Sequence, residues 1–365
     1  VGQREGTVED VVTRWRGRRV FVTGHTGFKG GWLALWLKQL GATVRGYALE
    51  PDTEPNLFTV ARVSEAVEDV RGDVRDLAEL KRALSEFRPE VVFHLAAQPL
   101  VRRSYADPLE TFSTNVMGTA NLLEAVRETP GVRAVVCVTT DKVYRNEGED
   151  RAFIETDALG GHDPYAASKA CAEIVTSAYR DSFFSLEKLA EHGVAVATAR
   201  AGNVIGGGDW SRDRLIPDLV RGVMAGEAIL IRRPKATRPW QHVLEPLHGY
   251  LLLAEGLLTE PMRFATAFNF GPAEEDAWPV ERIATKIVEL WGQGARWVKD
   301  DAEHVHEDHY LRLDASKARS ELGWKPRLEI EQGLEWTLEW YRAWQSGAAM
   351  QEFTLKQMEA YERLG

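Results

Sequence analysis

Short apolar runs alternate with longer amphipathic stretches along residues 19–199 of this chain. Residues 19–22, Arg-Val-Phe-Val, read as a buried strand. Residues 32–40 carry a helical pattern that stops at Gly41. Residues 44–49 are strand-like again. Helical spacing returns over 77–87, and 91–95 form a buried-strand run after Pro89. A long helical segment covers 109–127, and 134–138 read as the next strand. Residues 165–179 read as a helix, with Asp163 as its cap and Pro164 in its first turn. Residues 194–199 are a further strand. This regular exchange of strand and helix predicts an α/β fold built on a doubly wound parallel sheet.

The character changes after about Gly202. Glycine, proline, arginine and tryptophan become frequent, as in Gly206-Gly207-Gly208-Asp209-Trp210 and Arg238-Pro239-Trp240. Helical patterns return over 243–258, 280–291 and 330–344. The expected organisation is an N-terminal extension (1–18) and a dinucleotide-binding domain (19–202). Next comes a smaller C-terminal substrate-binding lobe (203–345), with segments returning to the large domain, and then a helical tail (346–365). Packing against its own protein is the reading for that tail.

The chain has 365 residues and a net charge of −10, which argues against non-specific nucleic-acid binding. Two cysteines, Cys137 and Cys171, make no disulfide framework and fit a reducing compartment. The apolar runs are too short to cross a bilayer, and residues 1–19 lack the apolar core of a signal peptide. The expectation is a soluble cytoplasmic protein. The twelve tryptophans are scattered, and no repeat explains them.

Two motifs carry chemistry. Gly24, Gly27 and Gly30 stand between the strand at 19–22 and the helix at 32–40. Such a turn lets backbone amides approach a pyrophosphate at a helix N-terminus. Glu50, at the end of the next strand, is placed to bind ribose hydroxyls and repel a 2′-phosphate, which favours NAD over NADP. Lys29 points the other way, since a cation there can meet a 2′-phosphate. The second motif is Tyr165 and Lys169, four apart and therefore on one helix face. A neighbouring ammonium stabilises phenolate and makes the tyrosine a base near neutral pH. Thr140, at the end of an apolar strand, can offer a hydroxyl to the same substrate oxygen.

On these residues the chain resembles the extended short-chain dehydrogenase/reductase family, over nearly its whole length. Within that family it is most similar to the CDP-glucose 4,6-dehydratases. The narrower likeness rests on Gly24-His25-Thr26-Gly27-Phe28-Lys29-Gly30, His94-Leu95-Ala96-Ala97-Gln98-Pro99 and Thr139-Thr140-Asp141-Lys142-Val143-Tyr144. It extends to Leu159-Gly160-Gly161-His162-Asp163-Pro164-Tyr165, Arg238-Pro239-Trp240-Gln241-His242-Val243 and Leu313-Asp314-Ala315-Ser316-Lys317. The resemblance implies a Rossmann-type fold, NAD as cofactor and a nucleotide sugar, CDP-glucose, as substrate. It implies cofactor contacts at Thr26, Phe28, Asp73, Val74, Leu95, Ala96 and Ala97, besides the glycines, Lys29, Glu50, Tyr165 and Lys169. It implies substrate contacts at Gln98, Asn203, Arg212, Arg232, Arg238, Trp240 and Tyr310, no metal, and a homodimer paired through the helices at 109–127 and 165–179.

The implied reaction oxidises C4 of the sugar, expels water across C5 and C6, and returns hydride to C6. Asp141 fits the acid for the departing hydroxyl if its surroundings keep it protonated. Lys142 stands where related dTDP-glucose dehydratases have glutamate. It serves as base if neutral, or as a fixed charge stabilising the enolate. The alternative for Asp141 and Lys142 is a surface ion pair after a strand. Trp240 either stacks on a ring or fills core. His304, His306 and His309, with Glu303, Glu307 and Asp308, look metal-like in composition but match no zinc spacing. Rival functions are a nucleotide-sugar 4-epimerase, a non-catalytic dinucleotide-binding protein and, last, a metal-dependent hydrolase.

Overall fold

The computed structural model describes residues 14–292, 294–300 and 310–365. Seven strands make one sheet: β1 (Arg19–Thr23), β2 (Thr43–Ala48), β3 (Glu68–Arg71), β4 (Val91–His94), β5 (Ala134–Val138), β6 (Ala195–Ala201) and β7 (Ala267–Phe270). Their order is β7-β6-β5-β4-β1-β2-β3, and every neighbouring pair is parallel. The chain winds outward from β1 to β3, then returns to the other side of β1 at β4. Val20 is thus in register with both Val44 and Val91. The gap between the C-terminal ends of β1 and β4 is the topological switch point, where ligands of such sheets bind.

The apolar strands have no polar face because both faces are covered. Val20, Val22, Phe93 and Val136 face one core. Phe21, Val92, Val135 and Cys137 face the other. The second core is closed by α2 (Leu77–Phe87), whose Leu80, Leu84 and Phe87 are buried, and by α3 (Gly118–Arg127). Helix α4 (Pro164–Ser182) packs on the same side through Val175 and Tyr179. The first core holds α1 (Phe28–Gln39) together with α5 (Leu215–Ala225) and α6 (Leu244–Thr259). It also holds α7 (Val280–Trp291), α8 (Ile330–Gln345) and α9 (Met350–Glu362).

The tryptophans scattered in sequence converge here. Trp15, Trp32, Trp36, Trp210, Trp240, Trp324 and Trp340 all belong to the first core. A buried indole N–H needs a partner, and six of these seven donate to another part of the chain. Trp32 donates to the Gly207 carbonyl, Trp340 to Thr354 and Trp36 to Glu362. The last two bonds anchor α9 against α8 and α1. Tyr361 completes the anchor by donating to the buried Glu245 of α6, 2.8 Å away. At the other end, fully buried Trp15 donates to Glu255 at 2.7 Å, so residue 15 is part of the core rather than of an extension. Among the described residues no helix is long and apolar enough to cross a membrane.

Two differences from the sequence expectation bear on the site. Helix α1 begins at Phe28, four residues before 32, because Gly30 and Gly31 belong to its first turn despite their low helix propensity. The segment 108–127 is helical but interrupted by a π-helical turn at Ser113–Met117. Such turns recur at functional sites.

Candidate active site

One cavity of about 1560 Å³ opens over the switch point. A drug-sized ligand fills roughly 300–1,000 Å³, so this space suits two nucleotides better than one. Every site residue expected from the sequence lines it except Tyr310, which lies outside it and is exposed. The histidine-rich segment 303–309 lies outside the described residues.

The glycine loop forms one wall. Gly24 has φ +78°, and a Cβ there would stand 2.7 Å from the Ala96 nitrogen. At Gly30 a Cβ would stand 2.1 Å from the Gly24 carbonyl oxygen. Neither neighbour can yield, because both are backbone. Gly27, by contrast, has room for a methyl group, at 3.4 Å. The loop is held by Gly24 N–H donating to Tyr47 and by Thr26 donating to the Leu49 carbonyl. Backbone amides at the start of α1 are thereby presented to the cavity, a cradle that fits a dinucleotide pyrophosphate. Glu50 and Asp73 stand further along this wall. Arg71 lies 3.3 Å from Glu50, and Arg75 pairs with Asp73, holding that carboxyl below its usual range.

A buried polar chain fixes the floor. Thr23 accepts from the amides of Leu95 and Ala96 and bonds His94, which bonds Thr119 in turn. Burial drives the His94 pKa down to about 3, so this histidine is a neutral strut. Asn115, in the π turn, grips Gln98 through both its carbonyl oxygen and its amide, and also donates to Ser168 on α4. The Gln98 side chain bonds Leu100 and Thr111. It shapes the loop and has its polar atoms bonded there.

The reactive groups stand at the C-terminal end of β5. Thr140 caps the turn Asp141–Val143 and donates to Asp141 Oδ1 at 2.9 Å. Its hydroxyl also bonds the Tyr165 phenol. Asp141 is buried, which excludes a surface ion pair. Helix α4 brings Tyr165 and Lys169 in, capped by Asp163 accepting from Ala166 N with Pro164 at its start. The expected lowering of the Tyr165 pKa by Lys169 is not what this arrangement produces. Burial pushes the phenol up to about 12, opposed by Thr140 and by Arg214. Lys169 donates to the Val138 carbonyl at 3.2 Å, and burial brings its own pKa down to about 8. Behind this corner Glu173 on α4 pairs with buried Arg200 and accepts from Thr198.

The opposite wall is cationic. Arg238 is buried, while Arg232 pairs with Asp213 at 3.2 Å. Asp213 bonds Arg102 at the same distance, so one carboxylate ties both rims. Arg214 escaped sequence reasoning. It precedes α5, pairs with Asp209 and is near enough to bias both Tyr165 and Lys29. Its carboxylate partner is only five residues away, but Lys29 and Tyr165 come from distant segments, so nothing local marks it as part of the site. Trp240 donates to Trp278 and is buried, so it fills core at the cavity wall. Lys29 also differs from expectation. Its amine donates to the buried Tyr250 hydroxyl at 3.3 Å.

Comparison with known proteins agrees with this geometry. CDP-glucose 4,6-dehydratase of Salmonella typhimurium is 52% identical over 92% of this chain and 94% of its own length. A dTDP-glucose 4,6-dehydratase of Xanthomonas campestris is 30% identical over 93% of this chain and 98% of its own. The solved structure of DesIV, a dTDP-glucose 4,6-dehydratase from Streptomyces venezuelae with NAD bound, superposes with a TM-score of 0.75. It is 27% identical and covers 90% of this chain and 98% of that one. A family model described as GDP-mannose 4,6 dehydratase matches residues 21–337, and with that match spanning sheet, glycine loop and reactive corner the chain belongs to this family.

Proposed function

We propose that this protein carries out the NAD-dependent 4,6-dehydration of CDP-glucose, giving CDP-4-keto-6-deoxyglucose. One observation carries the reading beyond the likeness: a carboxyl group, Asp141, shares the Thr140 hydroxyl with Tyr165, the proton acceptor of the oxidation. Beside a hydride acceptor, an alcohol oxidation needs only Tyr165, Thr140 and Lys169. Expelling water next to the new ketone needs an acid as well, and Asp141 stands where one is required.

The cradle of Gly24, Gly27 and Gly30 fits the pyrophosphate of NAD, with Glu50 on the ribose side. Bound there, NAD supplies a hydride acceptor for C4 and a hydride donor for C6. Tyr165 takes the C4 hydroxyl proton, steadied by Thr140. Asp141 gives its proton to the C6 hydroxyl as that group leaves as water. Lys142, half-buried beside Asp141, is placed as base or as a charge for the enolate. Arg214, Arg232 and Arg238 supply positive charge for a diphosphate. One turnover leaves Tyr165 a proton richer and Asp141 a proton poorer. Thr140 bonds both, so its hydroxyl can pass that proton back and ready both groups for the next cycle.

Leu109, Met117 and Ile174 are large apolar side chains exposed along the helical segment 108–127 and α4, and Phe183 is another just past the end of α4. They support a homodimer paired through those helices. Free cysteines, one of them buried, support a reducing, cytoplasmic setting.

The test is mass spectrometry of CDP-, UDP-, dTDP- and GDP-glucose, each incubated with protein and NAD. Loss of one water from CDP-glucose alone is the expected result. Unchanged mass throughout overturns the reading, and NMR of the same samples then identifies a 4-epimerase by its inverted C4.

A further inference from the structure

Two buried charges behind the reactive corner, Glu173 and Arg200, take no direct part in the proposed chemistry. Glu173 follows Lys169 by one helical turn on α4 and Tyr165 by two, on the same face. Its carboxylate accepts four hydrogen bonds. Thr139 and Arg200 Nε meet Oε1, while Thr198 and Arg200 Nη2 meet Oε2 at 2.7 and 2.8 Å. Arg200, on β6, reaches beyond the carboxylate. Its Nη1 donates to the Tyr144 hydroxyl at 2.8 Å and to the Glu155 carbonyl at 3.1 Å. Tyr144 donates in turn to Asn269 on β7 at 2.6 Å, and its ring stacks on Phe153. Thr139 directly precedes the segment 140–143, and Tyr144 directly follows it. That segment carries Thr140, Asp141 and Lys142. The ion pair therefore grips both ends of the eliminating turn from the helix that oxidises. Apolar side chains would stabilise this core as well or better, but they would fix no bond direction.

Resting on the dehydratase reading, we propose that Glu173 and Arg200 are positioning residues that clamp the turn 140–143 against α4 and so couple oxidation at C4 to elimination across C5 and C6. Tyr165 and Lys169 ride on α4 itself, and Lys169 is tied to the Val138 carbonyl, ahead of the turn. Oxidation therefore draws mainly on contacts that the clamp does not make. Elimination requires Asp141 at the C6 hydroxyl of a sugar whose C4 is held by Tyr165. That distance runs from helix to turn, and the clamp sets it. A misplacement of about 1 Å far from the chemistry can cost about 100-fold in rate. Thr140 opens the turn and serves both steps, so oxidation should suffer a little when the clamp is loosened.

Glu173→Gln leaves Arg200 buried without its counter-charge, which endangers the fold itself. The experiment therefore removes single hydroxyls: Thr139→Val, Tyr144→Phe and the two combined, with Thr139→Ser as the conservative variant. Each protein, loaded with NAD, meets CDP-glucose in a rapid-mixing single turnover. NADH absorbance reports oxidation, and mass spectrometry of quenched samples reports water loss. NADH should form within about threefold of the wild-type rate, while water loss slows about 10-fold in each single variant and about 100-fold in the double. Bound NADH should then accumulate. Thr139→Ser should recover most of the elimination rate. Equal losses in oxidation and elimination overturn the assignment, because a role in stability alone lowers both together. So does water loss at the wild-type rate in the double variant. A wild-type control that loses no water sinks the dehydratase reading as well, which separates the two failures.

Discussion

The two walls of the cavity are built from different materials. The dinucleotide wall is mostly backbone, shaped by residues that lack a side chain: Gly24 and Gly30 are needed because any Cβ would strike main-chain atoms. The substrate wall is made of long cationic side chains, Arg214, Arg232 and Arg238, each held by a partner. Backbone recognition tolerates no side chain at Gly24 or Gly30 but needs little support. Side-chain recognition is adaptable, but it depends on the partners that aim each guanidinium, Asp209 for Arg214, Asp213 for Arg232 and the Thr237 carbonyl for Arg238. The reactive corner lies between the walls and takes groups from both.

The largest expected effect spares both walls. Tyr165→Phe removes one oxygen from a helix whose cap and packing remain. Turnover should fall by about 10²–10⁴-fold, with NAD affinity and melting temperature unchanged and no NADH formed. Full activity in that variant would mean that the two walls meet around some other base.

A smaller effect tests the backbone wall alone. Gly30→Ala puts a methyl group 2.1 Å from the Gly24 carbonyl oxygen, so the loop must shift. We expect about 1–3 kcal/mol of destabilisation and weakened NAD binding by calorimetry, with CDP binding retained. Gly27→Ala is the control, since its methyl would make an ordinary contact. Equal NAD affinity in wild type and Gly30→Ala would show that the cofactor lies elsewhere.

The same contrast explains what the sequence disclosed. The parallel sheet was legible because strands covered on both faces are apolar throughout, and the loop was legible because only glycine fits it. The first turn of α1 was not, since glycines count against a helix unless close packing requires them. Asn115 reads as an unremarkable polar residue in a helical run; its role arises from the π turn that aims it at Gln98 and Ser168. Lys29 sits in a cofactor motif by spacing, yet a long side chain can leave its motif, and here it reaches the reactive corner. Arg214 had no signal, because an arginine before a helix gains meaning only from Lys29 and Tyr165, which the fold brings near it.

The smallest effect concerns Glu50, a charge on the backbone wall. Its carboxylate is largely exposed, with Arg71 Nε 3.3 Å away. Arg71 also pairs with Asp69 at 3.1 Å and lies over the Phe58 ring, so it stays in place when Glu50 changes. Glu50→Gln therefore removes the charge that repels a 2′-phosphate and leaves a cation able to attract one. Solvent screens both groups, so the shift should be about 1 kcal/mol, roughly fivefold in the NADP-to-NAD ratio of kcat/KM. Adding Arg71→Ala should cancel most of that gain. A ratio unmoved by Glu50→Gln would place cofactor choice in the backbone itself, and the two walls would then differ more completely than their residues suggest.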